Sequence, residues 1–502
     1  MTRAEALKLR VNQEFVFDAP PSAGKKPSPA RIKSRQSQLG QFMTPAAIAS
    51  FMARMFPGPM PAQVRLLDAG AGRGALTIAF IERWSDEGMG CFESHAYECD
   101  TEISVALQEA LVSLEDHCRV TTKLIAGDFI ENAAIMLRFE NGPRYTHAIL
   151  NPPYTKINTG SRHRELLSMA GLETVNLYSG FVGLSLELLV PGGQLVAIIP
   201  RSFCNGPYYK AFRILLLRRA AIRKIHLFES RNKAFKADSV LQENVIIFLE
   251  RGGVQTDITI STSADDTFAD FHERTLPFEQ IVQPGDRESF IHIPTEDLGV
   301  EFDPLGNFRF SLEDIGVNVS TGPVVDFRLR DWLCQMPEPG TVPLLYPGHF
   351  TATGVEWPLA TMRKPNAIRR AAETESSLYP NGFYAVVRRF SAKEEKRRIV
   401  ASFVDPAILP GEVLGFENHL NVFHQGRRPL PESLARGLSA FLNSTAVDKY
   451  FRRFNGHTQV NATDLKLMKY PDRDALFQLG EWAKKTPKQT QESIDRKVRE
   501  LA

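Results

Sequence analysis

The chain has 502 residues, 43% of them hydrophobic, with 60 basic and 58 acidic side chains and a net charge of +2. That length and apolar content support two or more domains with packed cores and exclude a wholly disordered chain, while the near-balanced charge leaves any polyanion-binding surface to local patches. Five cysteines (Cys91, Cys99, Cys118, Cys204, Cys334) show no metal-ligand spacing and read as reduced thiols, and no signal peptide or apolar run of membrane length is visible, so a cytoplasmic location is expected.

Residues 1–34 are polar and rich in Pro and Lys around 20–29, and are expected to be a mobile extension. The first strong motif is Val64-Arg65-Leu66-Leu67-Asp68-Ala69-Gly70-Ala71-Gly72-Arg73-Gly74, followed by helix-like apolar spacing from Ala75 to Trp84. It predicts strand, glycine turn, helix, with Gly70 and Gly72 letting the backbone approach a ligand. Gly-x-Gly-x-Gly after an acid fits an S-adenosylmethionine loop better than the Gly-x-Gly-x-x-Gly of a dinucleotide site. A second short strand, His95 to Asp100, ends in acid. Glu98 is the candidate acceptor for both ribose hydroxyls, with Asp100 as the fallback. A third, Leu124 to Phe129, ends in Asp128-Phe129. Asp128 is placed to accept from an adenine amino group, and Phe129 either packs on the adenine face or is plain core.

Ile149-Leu150-Asn151-Pro152-Pro153-Tyr154 is the most informative segment. It places a stiff turn at the end of a buried strand, where open α/β sheets carry their sites. The two prolines remove two donors, so the corner exposes acceptors. Asn151 adds a side-chain oxygen and Tyr154 a flat ring. A planar ring bearing an exocyclic amino group suits that set.

The chain resembles the gamma group of N6-adenine-specific DNA methyltransferases found in type II restriction–modification systems. The resemblance rests, in order, on Gln41-Phe42-Met43-Thr44-Pro45, Asp68-Ala69-Gly70-Ala71-Gly72, Glu98, Asp128-Phe129 and Asn151-Pro152-Pro153-Tyr154, and covers about residues 35–255. The family usually shows Phe-Phe-Thr-Pro where this chain has Phe-Met-Thr-Pro. The resemblance implies a SAM-dependent methyltransferase fold, a Rossmann-like α/β domain with a seven-stranded mixed sheet, joined to a C-terminal α+β target-recognition domain. It also implies that Thr44 and Pro45 close over the methionine end of the cofactor, and that Asp68, Gly70, Gly72, Glu98, Asp128, Phe129 and Asn151 form the rest of the cofactor site.

Further along, Asn176 to Leu189 reads as a helix stopped by Pro191-Gly192-Gly193. Gln194 to Ile199 reads as a buried strand, Pro207 to Arg219 as a basic helix, and Ile225 to Phe228 and Asn244 to Leu249 as two adjacent strands. The loop between those two strands holds Arg231, Lys233, Phe235 and Lys236. In the family an aromatic there packs against a flipped target base. Phe235 is the match, and the three cations suit phosphates.

Residues 256–310 are acidic and turn-rich and are expected to connect the domains; 311–480 are expected to recognise DNA, and 481–502 to form a charged helix or tail. The recognition half interleaves aromatics with basic residues. A run at 381–400 includes Arg388 and Arg389, and a second includes Arg452, Arg453 and His457. Such mixtures suit phosphate anchoring plus base-edge reading. His349, His419, His424 and His457 show no metal pattern and read as structural or polar contacts. No nuclease core is evident, because Pro471-Asp472 with Glu481 and Lys484 has the wrong spacing. A separate cognate endonuclease is therefore the expected partner beside double-stranded DNA, and a monomer is expected.

In this reading Asn151 and the Pro152 carbonyl accept the amino hydrogens of a flipped adenine, and Tyr154 and Phe235 replace its lost stacking. The alternatives are methylation of RNA adenine or of protein glutamine, or a non-catalytic DNA-recognition subunit that keeps the fold.

Overall fold

A computed structural model of the chain describes residues 43–59, 61–85, 91–117, 120–228, 243–294, 305, 308–351, 354–391, 395–454 and 459–501. The expected N-terminal extension, the 229–242 loop with Arg231, Lys233, Phe235 and Lys236, and His457 lie outside them.

The first half alternates strands and helices: α1 (Ala46–Arg54), β1 (Gln63–Ala69), α2 (Ala75–Ser85), β2 (Cys91–Glu98), α3 (Thr101–His117), β3 (Thr121–Ala126), α4 (Phe129–Phe139), β4 (Tyr145–Leu150), α5 (Arg162–Met169), α6 (Leu177–Leu188), β5 (Leu189–Pro200), α7 (Lys210–Arg219), β6 (Ala220–Phe228), β7 (Asn244–Arg251), β8 (Ile258–Ser263) and β9 (His272–Leu276). The strands form one sheet in the order β3-β2-β1-β4-β5-β7-β6-β8-β9. β7 runs antiparallel between β5 and β6. The expected seven-stranded methyltransferase sheet is therefore present, but β8 and β9 widen it to nine strands. This corrects the expected boundary at 256. Ile258 and Ile260 are buried, and β8 pairs in parallel with β6, so the supposed connector opens as sheet.

Helices cover both faces. One core layer contains Leu67, Ile130, Leu150, Phe181 and Leu216, and the opposite one contains Ile48, Leu66, Phe80, Trp84 and Leu111. Central strands buried on both faces explain the unbroken apolar runs Ala148–Leu150 and Leu195–Ile199.

The second half is α+β. A four-stranded antiparallel sheet runs in the order Asn318–Thr321, Leu420–His424, Tyr384–Arg388, Ala401–Val404. A five-stranded sheet runs Leu333–Cys334, Ala367–Arg369, Thr341–Leu345, Val413–Phe416, Leu378–Pro380. Against the first pack α8 (Glu432–Leu442), α9 (Thr445–Phe454), α10 (Arg473–Lys485) and α11 (Gln491–Arg499). Of the expected charged helix or tail, the structure shows a helix, α11, whose Ile494 and Val498 are buried in this core. Asp472 caps α10, Lys484 bonds Glu432 of α8 at 2.7 Å, and Glu481 bonds Ser433, so these acids and this lysine serve helix packing.

Residues 290–293 join the halves. The Ile291 amide donates to the Cys204 carbonyl (3.0 Å), and the Ile293 amide to the Arg453 carbonyl (2.8 Å).

Candidate active site

Sheet register brings the motifs together. Leu67 pairs with Ala148, so Gly70 and Asn151 each lie three residues further along neighbouring strands. Ala69 pairs with Tyr97, and Glu98 pairs with Ala126, which extends the row to Gly70, Glu98 and Ala126. The order β1-β4 is where the sheet changes direction, the usual ligand crevice of such folds.

The turn after β1 uses left-handed backbone at Gly70 (φ +80°) and Gly72 (φ +58°). Side chains are strained there, so the loop stays bare toward the crevice. The amides of Gly70 and Ala71 donate to the Tyr97 carbonyl, at 3.0 and 2.8 Å. Glu98, 4% exposed, accepts from the Gly72 amide (3.0 Å) and the Asp100 amide (2.8 Å). Its carboxylate thus stiffens the glycine loop, with each charge-assisted bond contributing about 1.5–3 kcal/mol. Asp100 has another job: its Oδ1 accepts from the Glu102 amide at the start of α3 (2.9 Å).

Asp68 is fully buried. Thr77 Oγ1 donates to its Oδ2 at 2.7 Å, and Oδ1 has no partner among the described residues. Burial pushes its carboxyl from an ordinary 3.8 to about 7, opposed by the Thr77 bonds and reinforced by Glu98. The folded protein therefore keeps a proton that the unfolded chain has released between pH 4 and 7. The associated stability is fully present below about pH 4 and is lost as pH rises through 7. The loss amounts to about 4 kcal/mol for three units. Asp68→Asn should consequently melt progressively higher than the wild type as pH rises from 5 to 8. A melting difference that does not change with pH would contradict this.

Asn151 is half-buried and oriented from both sides. Its Nδ2 donates to Thr44 Oγ1 (3.0 Å), and its Oδ1 accepts from the Tyr154 hydroxyl (3.2 Å). Thr44 and Asn151 are 107 positions apart, so the segment ahead of α1 closes directly on the Asn-Pro-Pro-Tyr corner. Pro45 precedes α1 and accepts from the Ala49 amide at 2.9 Å. Pro152 is buried, and Tyr154 packs edge-on against Tyr178, 6.2 Å between centroids. Burial pushes the Tyr154 hydroxyl well above its usual range, so it stays a neutral donor.

Asp128 caps α4 through the Glu131 amide (2.9 Å), and its other oxygen pairs with His163 Nε2 at 2.7 Å. Each oxygen retains a further lone pair. Phe129 is 3% exposed, edge-on to Tyr97 and tilted against Phe181. Of the two readings given for it, core is the one the packing shows. His163 was missed by sequence reasoning, since the polar stretch Arg162-His163-Arg164 carries no motif.

In the recognition half Arg388 pairs with Glu395, and Arg452 Nε with Asp448 at 2.7 Å, so both cations have acidic partners within the chain. Arg389 reaches the Asn418 carbonyl (3.2 Å) and Gln459 Oε1 (3.5 Å). Arg453 lies beside Arg452 in the last turn of α9. Two other members of the basic run are structural: Arg398 is 1% exposed and bonds Ser391, and Arg397 bonds the Ser444 carbonyl. His349 is buried between the Tyr346 amide and Asn366. His419 is half-exposed and held by Glu417 at 2.6 Å. Phe327 and Phe390 remain exposed, at 74% and 38%.

Comparison with known proteins agrees with this arrangement. The family model described as Eco57I restriction-modification methylase matches residues 101–235. The chain is 51% identical over 477 residues to the type II methyltransferase M.BsuBI of Bacillus subtilis, covering 94% of this chain and 95% of the relative. It is 44% identical over 455 residues to the type II methyltransferase M.PstI of Providencia stuartii, covering 88% of each. Among solved structures, the type IIL restriction-modification enzyme MmeI, determined with DNA, shares the fold. Its TM-score is 0.52 at 11% identity, over 94% of this chain and 72% of that one. With half of its residues shared along nearly the full length of a known relative, the chain belongs to the type II methyltransferases of restriction–modification systems.

Proposed function

We propose that this DNA methyltransferase transfers a methyl group from S-adenosylmethionine to N6 of adenine in a short double-stranded site, protecting that site from a separate cognate endonuclease. The observation that carries the reading is the Asn151-Pro152-Pro153-Tyr154 corner, positioned beside the glycine loop by register and held by Thr44 and Tyr154.

The residues present fit the cofactor. The buried Asp68 Oδ1, which has no partner among the described residues, suits an ammonium donor, and the left-handed Gly70 and Gly72 leave room that a side chain would fill. Thr44, Pro45, Glu98 and Asp128 would complete the cofactor site. When bound, S-adenosylmethionine would supply an electrophilic methyl group.

The chain's own residues do the rest. The adenine amino nitrogen is a weak nucleophile because its lone pair is delocalised into the ring. Asn151 Oδ1 and the Pro152 carbonyl would accept its two hydrogens, favour a pyramidal nitrogen and offset its developing positive charge. Orientation by Thr44 and Tyr154 means that these acceptors need little rearrangement during reaction. The target base must leave the duplex to reach them, and Tyr154, with Phe235, would receive its faces. Arg231, Lys233, Lys236, Arg388, Arg389, Arg452, Arg453 and His457 are proposed to meet DNA. The internal pairs of Arg388 and Arg452 make Arg389 the stronger phosphate candidate of the first run. One target base per event requires only a monomer, acting in the cytoplasm. Among the described residues no helix is long and apolar enough to cross a membrane.

Tyr154→Ala should weaken capture of the target base several-fold more than it weakens cofactor binding. Unchanged DNA affinity and unchanged rate would remove Tyr154 from that role. The reading as a whole is tested by supplying labelled methyl donor with duplex DNA, RNA and protein. Label in the adenine of DNA supports it, and label only in RNA or protein overturns it.

A further inference from the structure

Arg201 follows β5 directly and is 2% exposed. Its side chain makes three bonds to two separate pieces of the chain. Nη1 donates to Glu243 Oε1 at 2.7 Å, and Nη2 donates to the carbonyls of Arg452 (3.0 Å) and Arg453 (2.8 Å). The Arg201 amide also donates to the Glu243 carbonyl at 2.6 Å. Glu243, itself 3% exposed, is where the chain enters β7 after the 229–242 segment. Arg452 and Arg453 lie in the last turn of α9, where carbonyls lack helical partners and carry the negative end of the helix dipole. A planar guanidinium serves a carboxylate along one edge and two carbonyls along the other; a lysine ammonium lacks that reach and shape.

The location gives this junction its meaning. β5 lies beside β4, with Ala197 paired to Leu150, the residue before Asn151. Beyond α9 the chain soon reaches Val460, whose amide donates to the Arg389 carbonyl at 2.7 Å. Between Arg453 and Gln459 an extended chain spans at most about 21 Å. One buried side chain therefore ties the catalytic edge of the sheet to the helix end that leads to the recognition sheet. A second, longer bridge joins the same regions: Asn205 Nδ2 to Asp464 Oδ1 at 3.4 Å. If stability alone were the purpose, an apolar pair of similar volume would serve as well, since buried ion pairs contribute little net stability over such replacements.

We propose that Arg201 is a positioning residue that couples the recognition half to capture of the target base; this rests on the proposed reading of base flipping at Asn151. It does not touch the reacting atoms. It holds α9 and the start of β7 in one fixed relation to the Asn151 corner, so that engagement of the DNA by the recognition half is transmitted to extraction of the adenine.

The test uses the full-length enzyme and two duplexes, one with a paired target adenine and one with a mismatch opposite it, which lowers the work of flipping. The variants are Arg201→Met/Glu243→Met, which removes both buried charges together, and Arg201→Lys. Single-turnover methylation of the paired duplex should fall on the order of 10²-fold, while the mismatched duplex should lose no more than about threefold and cofactor affinity should not change. Equal losses on both duplexes, or no loss on either in a folded variant, would overturn the coupling. Should the double variant fail to fold, Arg201→Lys must show the same split, and equal losses in it overturn the proposal as well. Failure of the wild type on both duplexes would sink the base-flipping reading itself and the coupling with it. Normal wild-type activity with no split in the variants sinks the coupling alone.

Discussion

Replacing Asn151 by alanine should lower the methylation rate by about 10²–10³-fold or more, the range seen when a preorganised polar contact to developing charge is removed. The alanine variant loses one of the two acceptors proposed for the amino group, together with the 3.2 Å bond from the Tyr154 hydroxyl. Cofactor binding should suffer far less. Among the described residues Asn151 meets the segment before α1 through its 3.0 Å contact to Thr44. A single hydrogen bond contributes about 0.5–1.5 kcal/mol, so cofactor affinity should weaken by no more than about tenfold. Single-turnover rates and cofactor titrations on the same preparation separate the two effects. Equal losses in rate and affinity would mean that Asn151 serves the cofactor and not the base.

Gly480→Ala should destabilise the recognition half by about 3 kcal/mol or more, and Gly437→Ala should do much the same. α8 and α10 cross so closely that a Cβ on Gly480 would overlap the Ser433 carbonyl oxygen, and one on Gly437 would overlap the Leu476 carbonyl oxygen. Both obstacles are backbone, so relief requires the helices to separate and lift Leu438, Leu476 and Leu479 from the core they share. Overpacking of this kind typically removes 1–3 kcal/mol and occasionally more. The roughly 1 kcal/mol that alanine adds in helix propensity does not offset it. Urea denaturation measures the loss, with Gly160→Ala as control because that position opens onto empty space. Unchanged midpoints for Gly480→Ala would show that the helix pair is looser than described.

The site was largely legible in the sequence because its parts are local. A glycine turn needs its glycines in order, and Asn-Pro-Pro-Tyr is a contiguous corner; both keep their geometry wherever the sheet places them. The seven core strands followed from apolar runs separated by helical periods. What escaped were features set by partners distant in the chain. Ile258-Thr259-Ile260-Ser261 does alternate as a strand should, but its acidic, turn-rich surroundings masked the signal, and only pairing with β6 reveals it. Arg397 and Arg398 read like their neighbours Arg388 and Arg389, yet Ser444 and Ser391 draw them inward. Arg201 carries no motif at all, since its role depends on carbonyls about 250 positions away. The resemblance assigned Thr44 and Asn151 to the cofactor site, but the bond between them, 107 positions apart, is visible only in the structure.

The most direct measurement of the central claim is a map of modified bases in the DNA of a methylation-free host that expresses the protein, with Asn151→Ala expressed in parallel. N6-methyladenine confined to one short sequence motif with the wild type, and absent with the variant, is the predicted result. Folded, cofactor-binding protein that leaves host adenines unmodified, or a variant that modifies the same motif to the same extent, would contradict it.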